Sequence, residues 1–241
     1  ITWLDGRNTI EDTKEGHHKA MTIRFAEISD TGEILNESEL DAATCDCCQT
    51  SIAMTNDGPI VVYRDRSKEE LRDIYSTKYV DGKWQAPTPV HQDGWKINGC
   101  PVNGPKVVAN STNLAVAWFT AANDIPLVNI SFSTSNGDAF NSPIQLNDLD
   151  AIGRVDVAFL NSKEVLVSYM EVDDIGTYLK VKKVSLDGMV SEAFTVSEID
   201  GGRNTGVPQL EIMKGEVFLV WTISIEGKNQ LKSVKLDSKN I

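Results

Sequence analysis

Five short apolar runs recur along the 241-residue chain, each closing on an aromatic residue. They are Ile1-Thr2-Trp3, Val61-Val62-Tyr63, Val116-Ala117-Trp118, Val167-Ser168-Tyr169 and Leu219-Val220-Trp221. The aromatics are separated by 60, 55, 51 and 52 residues. A period of this size implies one supersecondary unit repeated, because a single unit cannot bury its faces alone and must stack on its neighbours.

The content of the unit is all β. About ten residues before each of the last four aromatics lies another short apolar run, beginning at Ser51, Lys106, Val155 and Gln209. After the aromatics, segments such as Met21 to Ser29, Asp73 to Val80, Leu127 to Ser135, Tyr178 to Leu186 and Gln230 to Leu236 alternate with the period of two expected of strands. A fourth run follows a Gly-bearing turn in four units: Glu33 to Leu40, Lys83 to Val90, Ala139 to Leu146 and Met189 to Val196. Four antiparallel strands, a to d, make the blade of a β-propeller. The expected architecture is a six-bladed propeller, with about four and a half blades in this chain. It forms a single domain with units at about 1–40, 45–90, 100–147, 152–197 and 203–241. The first unit lacks strand a and the last lacks strand d, so the chain is expected to be incomplete at its N-terminus.

Charge narrows the partners. The formal net charge is −12, and no cluster of Lys and Arg offers the basic face that nucleic acid requires. No apolar run is long enough to be a transmembrane helix. A few arginines aimed into one cleft can still hold an anionic ligand on an acidic protein.

The turns between strands c and d resemble Asp boxes, the hairpin signature of sialidases and their relatives. Ser133-Thr134-Ser135-Asn136-Gly137-Asp138-Ala139-Phe140 keeps the spacing S-x-D-x-G-x-x-[WF], with Ser135 in the aspartate position. Asp81-Gly82-Lys83-Trp84 and Ser29-Asp30-Thr31-Gly32 are shortened versions. A wider resemblance is carried by Cys45-Asp46-Cys47-Cys48, Tyr63-Arg64-Asp65, Arg72-Asp73-Ile74 and the stretch from Asp93-Gly94-Trp95 through Gly99-Cys100-Pro101-Val102-Asn103-Gly104-Pro105. These are similar to exported bacterial proteins identified as exo-α-sialidases or BNR-repeat proteins. The resemblance implies a glycoside hydrolase acting on terminal acidic sugars, in an extracytoplasmic setting (periplasmic, secreted or on a surface lipoprotein). Fold does not fix chemistry. A non-catalytic propeller that binds glycan or protein, and a metal or redox site at the cysteines, stand as alternatives.

Propeller topology places the b-to-c loops and the d-to-a connections on one rim, where ligands usually bind. Arg64, Arg72, Arg154 and Arg203 fall there, with Trp95 as an aromatic that can stack on a sugar or plug the gap between blades. Sialidases hold the substrate carboxylate with three arginines, so Arg72, Arg154 and Arg203 are the expected trio. Structural ion pairs with neighbouring acids are the competing reading. The family chemistry also needs an acid/base aspartate and a tyrosine activated by a carboxylate, since a phenol has an ordinary pKa of about 10. Asp65 or Asp73 is the expected acid, and Tyr169 with Glu171 the expected nucleophile pair. Tyr63 and Tyr169 also occupy the repeat position, which is the place of a packing aromatic. The doublet His17-His18 reads as a solvated turn.

All four cysteines lie in two connections, Cys45, Cys47 and Cys48 in one and Cys100 in the next. No cofactor is expected unless a metal sits here. Three states are open: one or two disulfides, with Cys47 or Cys48 joined to Cys100; a thiolate metal site; or free thiols.

Overall fold

The computed structural model describes residues 1–9 and 19–241, so His17 and His18 lie outside the described residues. The described residues form five antiparallel sheets in sequence order. Blade one contains β1 (Thr2–Asp5), β2 (Met21–Ile28) and β3 (Ile34–Thr44). Blade two contains β4 (Ser51–Met54), β5 (Pro59–Arg64), β6 (Ile74–Val80), β7 (Lys83–Trp84) and β8 (Thr88–His91), with both β7 and β8 pairing to β6. Blade three contains β9 (Lys106–Asn110), β10 (Asn113–Thr120), β11 (Leu127–Ser133) and β12 (Ile144–Gln145). Blade four contains β13 (Asp150–Asn161), β14 (Glu164–Val172), β15 (Thr177–Ser185) and β16 (Phe194–Glu198). Blade five contains β17 (Gln209–Met213), β18 (Glu216–Ile225) and β19 (Lys228–Asp237).

The sheets stack as propeller blades. The innermost strands adjoin one another, β4 on β9, β9 on β13 and β13 on β17. Each hydrophobic cluster lies between two blades rather than within one. Ile23 and Leu40 of blade one pack with Val61 and Tyr63 of blade two. Ile60 and Val62 of the same β5 point the other way, into a cluster with Leu114, Val116 and Trp118 of blade three. Along β10 the alternation repeats, with Ala115, Ala117 and Phe119 facing blade four. Period-2 alternation in a strand buried on both faces thus sends odd and even residues into different interfaces.

This rule fixes the role of the repeated aromatic: it faces the preceding blade. Its polar tip finds an acceptor at the outer end of that blade. The Tyr63 hydroxyl donates to Asp41 (2.6 Å), Trp118 Nε1 to Asp93 (2.7 Å) and the Tyr169 hydroxyl to the Leu146 carbonyl (3.4 Å). A buried phenol or indole without such a partner costs about 1–3 kcal/mol. The equivalent Trp221 Nε1 has no hydrogen-bond partner among the described residues.

Turn chemistry follows the same economy. Asp81 and Gly82 both have positive φ (51° and 79°), as a two-residue hairpin between β6 and β7 requires. In the turn after β11 the Ser133 hydroxyl accepts the amides of Ser135 (3.2 Å) and Gly137 (3.1 Å). Gly104 meets the backbone of Gln49 so closely that an added Cβ would overlap it. Gly104→Ala is therefore expected to destabilise the protein by about 3 kcal/mol, the upper range for overpacking, read as a fall in denaturation midpoint.

Candidate functional site

The end of β5, the loop from Asp65 to Asp73, and the connections around Cys45–Gln49 and Asp93–Gly104 meet at one edge of blades two and three. Backbone bonds hold them together: Cys45 N–H to the Arg64 carbonyl (3.0 Å), Asp65 N–H to the Asp73 carbonyl (3.0 Å) and Arg72 N–H to the Trp95 carbonyl (2.8 Å). The Asp73 carboxylate accepts the N–H groups of Gly94 (3.2 Å) and Trp95 (3.1 Å).

Arg64 is the keystone of this edge and is buried, 1% exposed. As the residue after Tyr63 it faces blade three. Its Nε donates to the Asn103 carbonyl (2.9 Å), Nη1 to the Arg72 carbonyl (2.5 Å) and Nη2 to the Phe119 carbonyl (2.6 Å). Its guanidinium lies 4.8 Å from the centre of the Trp95 ring, which also packs edge-on against Phe119 (5.5 Å). Trp95 is buried between the blades rather than presented to a sugar. Asn103 extends the network into blade four: its side chain donates to the Ile152 carbonyl (3.0 Å) and accepts the Arg154 N–H (2.7 Å).

The other arginines are held separately. Arg72 is buried and its Nε and Nη2 bind Glu70, which also takes Arg66 (2.9 Å). Arg154, at a positive φ of 53°, spends its guanidinium on the carbonyls of Gly201 (3.2 Å), Gly202 (2.8 Å) and Gly206 (3.1 Å). Arg203 is exposed, and among the described residues its guanidinium makes one hydrogen bond, to the Cys100 carbonyl (3.2 Å). Arg154 and Arg203 are close enough for their charges to oppose each other, whereas Arg72 is fixed on Glu70.

Two residues beyond the repeated aromatic, three units carry an acid: Asp5, Asp65 and Glu171. These equivalent positions have different surroundings. Arg7 hydrogen-bonds the Asp5 carboxylate and holds it well below the usual carboxylate range. Glu171, fully buried, pairs with Lys180 and accepts the N–H groups of Asp148 (3.1 Å) and Leu149 (3.4 Å). Asp65 has no ion pair among the described residues. Burial, then the charges of Asp41 and Asp73, push its carboxyl up to about 6.

The tyrosines are tied into the scaffold. Burial, reinforced by Asp41, raises the Tyr63 hydroxyl far above its ordinary range. Its bond to Asp41 has the same form as that of Trp118 to Asp93 one blade on, which makes it an inter-blade latch. Burial and the Glu171 charge likewise push the Tyr169 hydroxyl up. Sequence reasoning passed over Asp41 because its partner Tyr63 comes from another blade, and over Glu70 because its hold on Arg66 and Arg72 depends on how their shared loop turns.

Cys47 and Cys100 form a disulfide, while Cys45 and Cys48 are free and buried. The three sulfurs of Cys45, Cys47 and Cys48 lie within 4.8 Å of one another. With Cys47 in the disulfide, two thiols remain as metal donors. Joining residues 53 apart restricts the unfolded chain by about 4 kcal/mol in the loop-entropy picture. Elsewhere, a cleft of about 870 Å³ between blades one and two is lined by Phe25, Ile52, Met54 and Trp84, and by none of the candidate acids or arginines.

No family model matches the chain. No curated protein sequence matches it either. Several solved structures share its fold. A variant of the NanB sialidase from Streptococcus pneumoniae is 10% identical with a TM-score of 0.56, over 91% of this chain and 36% of the sialidase. The fucose-specific lectin from Aleuria aurantia is 8% identical with a TM-score of 0.55, over 91% of this chain and 72% of the lectin. A xylan β-1,4-xylosidase from Bacillus halodurans is 12% identical with a TM-score of 0.52, over 78% and 39%. The chain spans less than two thirds of the length of either hydrolase. At these identities the likeness establishes the β-propeller fold, and that fold serves hydrolases and a lectin alike.

Proposed function

We propose that the protein is a glycan-directed propeller that hydrolyses a glycosidic bond at the edge of blades two and three, with Asp65 as general acid. The observation that carries this reading is the state of Asp65. Of three acids at one repeat position, it alone makes no ion pair among the described residues, and its carboxyl rises to about 6. A carboxyl that keeps its proton up to about pH 6 beside a second carboxylate is the arrangement that protonates a leaving-group oxygen. Asp73, its oxygens fixed by two backbone N–H groups, is the second carboxylate. A tyrosine nucleophile does not enter this reading, because Tyr63 and Tyr169 serve as blade latches.

The substrate class is an acidic sugar, with the exposed guanidinium of Arg203, which keeps free donors, as its carboxylate contact. An extracytoplasmic setting goes with this reading, and the Cys47–Cys100 disulfide supports it. Full-length protein incubated with aryl glycosides tests the proposal, using a sialoside and a glucuronide against a xyloside, an arabinofuranoside and a fucoside. Aryl release from an acidic member is expected. Release from neutral members alone would refute the acidic-sugar assignment. Glycan binding without release from any member would replace hydrolysis by the binding reading.

A further inference from the structure

Arg64 carries a buried charge that no carboxylate pairs among the described residues: all three of its hydrogen bonds end on carbonyls. A buried cation without an anion is strongly disfavoured. The groups that most stabilise this charge are Cys48 and Cys45, ahead of Asp93. The sulfurs of Cys45 and Cys48 lie 3.0 Å apart, so the pair can share one proton and carry one negative charge as the counter-ion of Arg64. On its other side Cys45 Sγ is 3.9 Å from Cys47 Sγ, half of the Cys47–Cys100 disulfide. Cys45 and Cys48 are buried, Cys47 is half-buried and Cys100 is exposed, so the four sulfurs run from the interior to solvent.

We propose that the four cysteines form a thiol–disulfide relay, in which the inner Cys45–Cys48 pair exchanges with the surface Cys47–Cys100 disulfide. The Cys45 thiolate attacks Cys47 Sγ, forming a Cys45–Cys47 bond. The Cys47–Cys100 bond breaks, and its electron pair leaves on Cys100 as a thiolate in contact with solvent. Cys48 then attacks Cys45 Sγ and passes its proton to the departing Cys47. One disulfide and one negative charge are present at the start and at the end, so no outside oxidant enters. The product is a buried Cys45–Cys48 disulfide with Cys47 and Cys100 released at the surface, and blades two and three lose their covalent tie.

The electrostatics suit the attacking role of Cys45. Its thiol is lowered to about 6, first by the Cys48 hydrogen bond, then by the Cys47 N–H and the charges of Arg72 and Arg64, while Cys48 is raised. Because Arg64 stabilises the inner thiolate, the resting arrangement keeps the disulfide at Cys47–Cys100, and exchange has to be drawn forward by removing its products.

The test is anaerobic alkylation of native full-length protein with iodoacetamide, followed by unfolding and mass-spectrometric mapping of disulfides without reduction. Wild type should accumulate a Cys45–Cys48 disulfide with Cys47 and Cys100 alkylated. Cys45→Ser should label at Cys47 and Cys100 at least about tenfold more slowly, since the attacking thiolate is gone. Cys48→Ser should stall with a Cys45–Cys47 disulfide and Cys100 alone alkylated, which keeps the test sharp if Cys45→Ser does not fold. An intact Cys47–Cys100 disulfide throughout, or equal labelling in wild type and Cys45→Ser, overturns the relay.

Discussion

Asp65→Asn is expected to slow glycoside hydrolysis by about 10²–10⁴-fold while raising the melting temperature at alkaline pH. Both effects come from the same cause. The Asp65 carboxyl is pushed up to about 6, whereas an unfolded chain holds such a group at about 4. Between these values the folded protein binds the extra proton. Its contribution to stability is therefore fully present below about pH 4 and is lost as pH rises through about 6. Above that, wild type holds a half-buried carboxylate facing Asp41 and Asp73, which the neutral amide relieves. Thermal scans of the two proteins should coincide near pH 4 and separate in favour of Asn at pH 8. Wild-type turnover should fall above about pH 6 as the acid ionises, and residual turnover in the variant should lose that limb. A variant that is less stable at pH 8 would contradict the assigned environment.

Arg64→Met is expected to be among the most damaging single substitutions in the chain, costing about 4 kcal/mol or more. The flat guanidinium satisfies the Asn103, Arg72 and Phe119 carbonyls at once and stacks on Trp95. Methionine fills much of the volume but leaves three interior acceptors bare, at about 1–3 kcal/mol each where no water reaches them. A loss of 4 kcal/mol corresponds to a fall of about 10 °C in a protein of this length. Arg64→Lys should recover only part of it, because one ammonium on a flexible stem cannot match the planar fork. A shift of only a degree or two in Arg64→Met would mean that Arg64 is not the tie between blades two and three.

The β-propeller was legible in the sequence because its cause is periodic. Tyr63, Trp118, Tyr169 and Trp221 recur since each must fill the gap against the preceding blade, and burial on both faces of β5, β10 and β14 keeps those strands apolar. The same alternation, carried one residue past Tyr63, places Arg64 in the blade-three interface. Reading Arg64 as a rim residue gave weight to its charge and loop position over its strand parity. The fates of Asp5, Asp65 and Glu171 were not legible. Their repeat positions are equivalent, but Arg7 and Lys180 supply partners that the blade-two loop does not. The latch of Asp41 on Tyr63 and the hold of Glu70 on Arg72 depend on how turns fold back, which single-sequence spacing does not encode. For the cysteines, clustering was visible from spacing alone, whereas the pairing of Cys47 with Cys100 depended on how two loops meet.

The functional reading turns on Asp65 keeping its proton up to about pH 6, well above the ordinary carboxylate range. Carbon-13 NMR of the aspartate carboxyls, with Asp65→Asn used to assign the resonance, measures this directly. A midpoint near 6 is the predicted result, and a midpoint near 4, the ordinary carboxylate range, would contradict the account.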